Sequence, residues 1–163
     1  MAFAIAGTGC GPSSAPAPCL GVDAEVVSVP FRRLLNVSHE LGDGFELARF
    51  VFDPAAPGQA TVSVQPATPP FIEFNINEPI GVQGQQLWSV RIEGLVGGAA
   101  TDRVRSDVAE TNRIREIVQV VDRGTFRWVV GTAAGSCVRL GVDQETGVVV
   151  LNVATDPRAT PPS

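Results

Sequence analysis

Three cysteines (Cys10, Cys19 and Cys137), one histidine (His39) and arginine as the only strong base hold most of the chemistry open to this chain. A structural zinc site needs paired spacings such as C-x2-C met by a second pair, and none occurs. A Ser–His–Asp relay would have to run through His39. The chain has no G-x-S-x-G, and Ser136 stands in the turn-like Gly135-Ser136-Cys137. Cys137 opens an alternating apolar run and reads as a small core residue rather than a nucleophile. Candidate acid–base carboxylates occur at Asp102, Asp107 and Glu110 in a long loop and at Asp143 and Glu145 in the last hairpin. Glycoside hydrolysis needs two carboxylates held about 5 to 10 Å apart across a cleft. Acids in turns ordinarily cap backbone or face water. Asp43-Gly44 and Asp143–Gly147 also lack the oxygen-ligand spacing of a calcium loop. The expectation is a non-catalytic chain without a cofactor or a metal.

Arg103, Arg105, Arg113 and Arg115 form the one cluster suited to grip a ligand or partner, since guanidinium forks match anionic groups. Asp102, Asp107, Glu110 and Glu116 offset much of that charge. A net charge of −5 leaves no basic stripe for phosphates, so nucleic acid is not an expected partner. The absence of lysine along the whole chain reads as codon bias of a GC-rich genome. Trp88 and Trp128 read as core anchors rather than as a sugar-stacking platform.

The elements that must position these residues are strands. Ala24–Val29, Leu34–Glu40, Glu46–Phe52, Ala60–Gln65 and Phe71–Ile76 are short β-rich runs broken by Gly, Pro and Asp. Gln86–Gly94, Ile114–Asp122, Thr125–Gly131, Cys137–Val142 and Val148–Val153 continue the series. Phe126, Trp128 and Val130 alternate with Arg127. Val138, Leu140 and Val142 alternate with Arg139 and Gly141, and Trp88, Val90 and Ile92 oppose Leu87, Ser89 and Arg91. Asp122-Arg123-Gly124 predicts a three-residue hairpin with Gly124 at positive φ, and Asp143–Gly147 turns in the same manner. Thr101–Arg113 has two apolar anchors, Val104 and Val108, and reads as a solvated loop with one helical turn at most. The expected fold is all-β: a β-sandwich or partly open barrel of about ten short, mostly antiparallel strands.

The expected organisation is a leader over residues 1–22, a β domain over 23–155 and a frayed tail over 156–163. The leader runs from the apolar Met1–Ala6 through Gly7-Thr8-Gly9-Cys10 into a Pro/Ser/Ala spacer. It resembles the end of a bacterial lipoprotein signal, in which Cys10 would carry the lipid. No apolar run reaches the ~20 residues of a transmembrane helix, so a lipid is the only membrane contact expected. Lipidation of Cys10 would leave Cys19 and Cys137 as the disulfide of an exported protein.

The body resembles an AMIN-like domain. Gly44–Asp53 (GFELARFVFD) is similar to that family's "DGFDRVVFEFD" strand, and Phe71–Pro79 to its "YRVEYVDGP" strand. Ile114–Val121 followed by Thr125–Gly131 resembles its "VRELVL…GVLTWVIGL" hairpin, and Cys137–Val142 and Val148–Val153 fall where its closing strands lie. The last hairpin, Asp143–Val150, lacks the family's Pro and Arg. The resemblance covers Leu34 to Val153. It implies an exported, often lipid-anchored module that binds or targets at the cell envelope, holding a wall polymer or an envelope protein. It supplies no catalytic residue. The competing expectation is a structural protein of a phage particle or surface assembly, with the leader as a docking arm.

Overall fold

A computed structural model describes residue 19 and residues 24–73, 76–96, 113–122 and 125–154. The described residues form no helix and build two antiparallel sheets packed face to face. The strands are β1 (Glu25–Phe31), β2 (Leu34–Gly42), β3 (Phe45–Phe52), β4 (Pro57–Pro66), β5 (Phe71–Ile72) and β6 (Pro79–Ile80). They continue with β7 (Gln86–Glu93), β8 (Ile114–Asp122), β9 (Thr125–Thr132), β10 (Cys137–Asp143) and β11 (Val148–Ala154). The larger sheet has the order β1-β4-β7-β9-β8, the smaller β10-β11-β3-β2, and β5 with β6 makes a separate two-stranded ribbon. The all-β expectation holds: the antiparallel sheets do not close into a barrel and pack as a β-sandwich.

Period-two alternation explains the core. Trp88, Val90 and Ile92 of β7, Trp128 and Val130 of β9, and Val138 and Leu140 of β10 all turn inward. They meet Ala48, Phe50 and Phe52 of β3 and Val149, Leu151 and Val153 of β11. Phe50 and Trp128 join the sheets edge to face, with centroids 5.7 Å apart. Both tryptophans are therefore anchors. A second, smaller cluster of Phe71, Val118, Val120 and Val129 lies on the outer face of the larger sheet, with Ile80, Val82 and Leu87 packed against it. The chain after β6 crosses that face tightly: a Cβ on Gly131 would fall 1.8 Å from the Gln83 carbonyl oxygen, so only glycine fits there.

Two details differ from the sequence reading. Within Phe71–Ile76, Phe71 and Ile72 form β5, Glu73 bridges Val120 of β8, residues 74–75 lie outside the described residues, and Asn77, at φ 52°, precedes the return into β6. The β8–β9 ladder closes at Asp122↔Thr125, so two residues rather than three connect the strands, and Gly124 lies outside the described residues. The last hairpin turns as expected. Gly147 takes φ 70°, and Asp143 accepts from the Glu145 and Thr146 N–H groups at 2.9 and 3.2 Å.

Each flank of the sandwich is tied by a glutamate that reaches backbone on the opposite sheet. On the β1/β10 flank, the Leu140 N–H donates to Glu25 Oε2 at 3.0 Å. A disulfide joins Cys19 to Cys137, the first residue of β10, and fixes that point of the leader to the sheet. On the opposite flank, Glu46 of β3 holds the start of β8.

Candidate ligand-facing site at the Glu46 end of the sandwich

The inner face of β3 runs Phe52, Phe50, Ala48 and then Glu46, so a carboxylate occupies the position after three core residues. His39 pairs with Ala48 across β2 and β3 and shares the inward parity of Val37. The apolar core thus ends at this edge in a polar pair. His39 Nε2 lies 3.1 Å from Glu46 Oε2, and each side chain is 9% exposed.

Glu46 is occupied on both oxygens. The Arg113 N–H donates to Oε1, and the Ile114 N–H donates to Oε2 at 2.7 Å. An ionised carboxylate accepts from all of these donors together with the imidazole, which is how a buried charge remains tolerable. The latch fixes the backbone where the chain enters β8. A second buried acid, Glu116, accepts the Gln83 N–H at 2.8 Å and ties the crossing segment to the same strand start. A bulge between Ile114 and Glu116 allows β8 to turn Ile114 into the main core and Glu116 to the outer face.

Beside the latch lies a cavity of about 180 Å³ lined by Leu41, Gly42, Gly44, Phe45, Glu46 and Arg113. Its shape follows from a tight hairpin. Gly42 pairs with Phe45, leaving Asp43-Gly44 as a two-residue turn with Gly44 at φ 78°. The Phe45 ring lies against the bare Cα of Gly42, where an added Cβ would come 2.2 Å from the ring tip. A larger open cleft of about 340 Å³, lined by Ser28, Gln59 and Gln144 among others, sits at the other end of β1 and holds no charged side chain among those residues.

The four arginines of the expected contact cluster separate. Arg103 and Arg105 lie outside the described residues, as do Cys10, the loop acids Asp102, Asp107 and Glu110, and the tail. Arg115 falls at the bulge, is half-buried and is engaged rather than free. Arg113 lines the cavity, and among the described residues its guanidinium meets no carboxylate. The acids are largely engaged with backbone. Asp53 accepts from Arg33 and from the Ala55 N–H, and the Arg33 contact holds its pKa below the ordinary value. Asp143 is lowered in the same direction, first by the Thr146 hydroxyl and then by turn N–H groups. No helix among the described residues is long and apolar enough to cross a membrane.

No family model, curated protein or solved structure matches the chain.

Sequence reading assigned no role to Glu46 and set His39 aside. The signal for both was parity: a charged residue in register with Ala48, Phe50 and Phe52 must find donors inside. The donors themselves, backbone N–H groups 67 and 68 residues away, leave no mark in the sequence.

Proposed function

We propose that the chain is a non-catalytic binding or targeting module of the cell envelope, exported and held there through its leader, with an AMIN-like body. The observation that carries this reading is the Cys19–Cys137 disulfide, which bonds leader to body across a separation of 118 residues. Disulfides of this structural kind belong to oxidising compartments. The leader preceding Cys19 also contains Cys10 in its lipoprotein-like setting. The use of acids as backbone clamps at Glu25, Glu46, Glu116 and Asp143 supports binding over catalysis. The ligand would be a wall polymer or envelope protein meeting the Arg113 end of the sandwich.

Fractionation of host cells expressing the chain from its natural coding region, followed by non-reducing mass spectrometry, tests the reading. The expected result is envelope-associated protein with Cys19 and Cys137 joined and retention on purified peptidoglycan or envelope protein at low salt. Cytosolic protein with free thiols overturns it.

One observation favours a structural role in a particle or surface assembly instead. β2 is a sheet-edge strand, and Leu35 and Leu41 on it are exposed, a surface that can template strand addition. Concentration-dependent assembly abolished by Leu35→Lys would select that alternative.

A further inference from the structure

The cavity beside Glu46 combines a cationic side chain on a fixed backbone with an apolar wall. The Arg113 backbone is held by its own N–H on Glu46 and by its carbonyl, which accepts the Ala133 N–H at 2.8 Å. Its side chain therefore starts from an immobilised Cα at the cavity rim, while the guanidinium meets no carboxylate among the described residues. Glu46 also lines the cavity, but its oxygens are already taken by two backbone donors and His39. It leaves the Arg113 fork open while adding a negative charge that a dianion would meet. Leu41, 58% exposed, and the half-buried Phe45 supply apolar surface on the same wall.

We propose that this cavity binds a singly charged carboxylate, with the Arg113 guanidinium as its bidentate partner and Phe45 and Leu41 covering the carbon body next to it. One cation matches one anion, and a phosphate dianion is disfavoured by Glu46 at the same wall. A volume of about 180 Å³ admits one amino-acid-sized or single-ring group, so recognition is of a chain end or a side substituent rather than of an extended polymer. This deepens the binding-module reading and rests on it for its biological setting. Two sources carry the chemistry, a peptide C-terminus and a sugar acid.

The test is an amide NMR titration of the full, oxidised chain with N-acetylalanine, with glucuronate, and with N-acetylalaninamide as the uncharged control. The expected result is saturable shifts at Gly42, Gly44, Phe45 and Arg113 with at least one acid, and at least tenfold weaker binding of the amide. Whichever acid binds more tightly names the source. Arg113→Gln removes saturation while leaving the remaining spectrum in place, because its backbone N–H still meets Glu46. Gly42→Ala, which forces the Phe45 ring to move, weakens binding with Arg113 intact. Equal response to acid and amide, an unchanged titration in Arg113→Gln, or tighter binding of inorganic phosphate than of either acid overturns the proposal. Acid-specific shifts in a chain that fractionates to the cytosol would sustain the cavity and refute the envelope setting, so the two failures are distinguishable.

Discussion

The two flanks of this sandwich solve one problem by different means. Both must hold an edge of one sheet to the other where the apolar core ends. The β1/β10 flank uses a covalent bond at Cys19–Cys137 and a single acceptor, Glu25, on the Leu140 N–H. The β3/β8 flank uses no covalent bond among the described residues. It places Glu46, 7% exposed, between two backbone donors and His39. The difference separates redox from electrostatics. One flank depends on the oxidation state of its surroundings, the other on a satisfied internal charge. The second also sets the position of Arg113, so the flank that lacks the staple is the one that shapes the cavity.

Breaking the stapled flank carries the largest expected effect. A crosslink spanning 118 residues restricts the unfolded chain, and its loss costs about 3–5 kcal/mol. Cys19→Ala/Cys137→Ala is expected to shift the urea midpoint strongly downward, and a reductant is expected to do the same to the native chain and nothing to the variant. A reductant-insensitive native midpoint would remove the staple from the account.

Breaking the latch comes next. Glu46→Gln keeps the shape but turns an amide N–H toward backbone donors, and the mismatch costs about 2–4 kcal/mol. Denaturation of the variant under oxidising conditions measures it. His39→Leu leaves the carboxylate its backbone donors and costs about 1–2 kcal/mol. A larger loss in His39→Leu than in Glu46→Gln would invert the proposed order of roles. Glu25→Gln is the weakest of the flank variants, at about 0.5–1.5 kcal/mol, because the disulfide still holds β10.

Acid supplies a control that belongs to neither flank. Asp53 and Asp143 titrate below the ordinary value of 3.8, so the stability they contribute is present above that value and is lost as pH falls through their lowered folded values. Asp53→Asn/Asp143→Asn is expected to flatten the fall in urea midpoint below about pH 4. The flank variants Cys19→Ala/Cys137→Ala should keep that fall, since neither aspartate touches the disulfide.

How much of this was legible follows from the range of each interaction. β7, β9 and β10 read correctly because their alternation is local and each apolar residue faces one core. Phe71–Ile76 alternates equally well, yet of its described residues only Phe71 and Ile72 form a strand, with Phe71 in the outer cluster, and Asn77 takes a positive φ before β6. Asp43-Gly44 carries a strong hairpin signal that a search for calcium ligands passes over. The arginine cluster was visible as composition, but only the latch decides that Arg113 faces a cavity while Arg115 sits at a bulge. Backbone N–H groups are the same in every residue, so a carboxylate that binds them leaves its partner unwritten.

The central claim is that the flanks are tied independently and that Glu46 is the side chain that ties the start of β8 to the opposite sheet. Native-state hydrogen exchange of the Ile114 and Leu140 amides in oxidised native chain and in Glu46→Gln tests it directly. The account predicts exchange at Ile114 faster by on the order of 30-fold or more in the variant, with Leu140 unchanged. Equal acceleration at both amides, or none at Ile114, would contradict it.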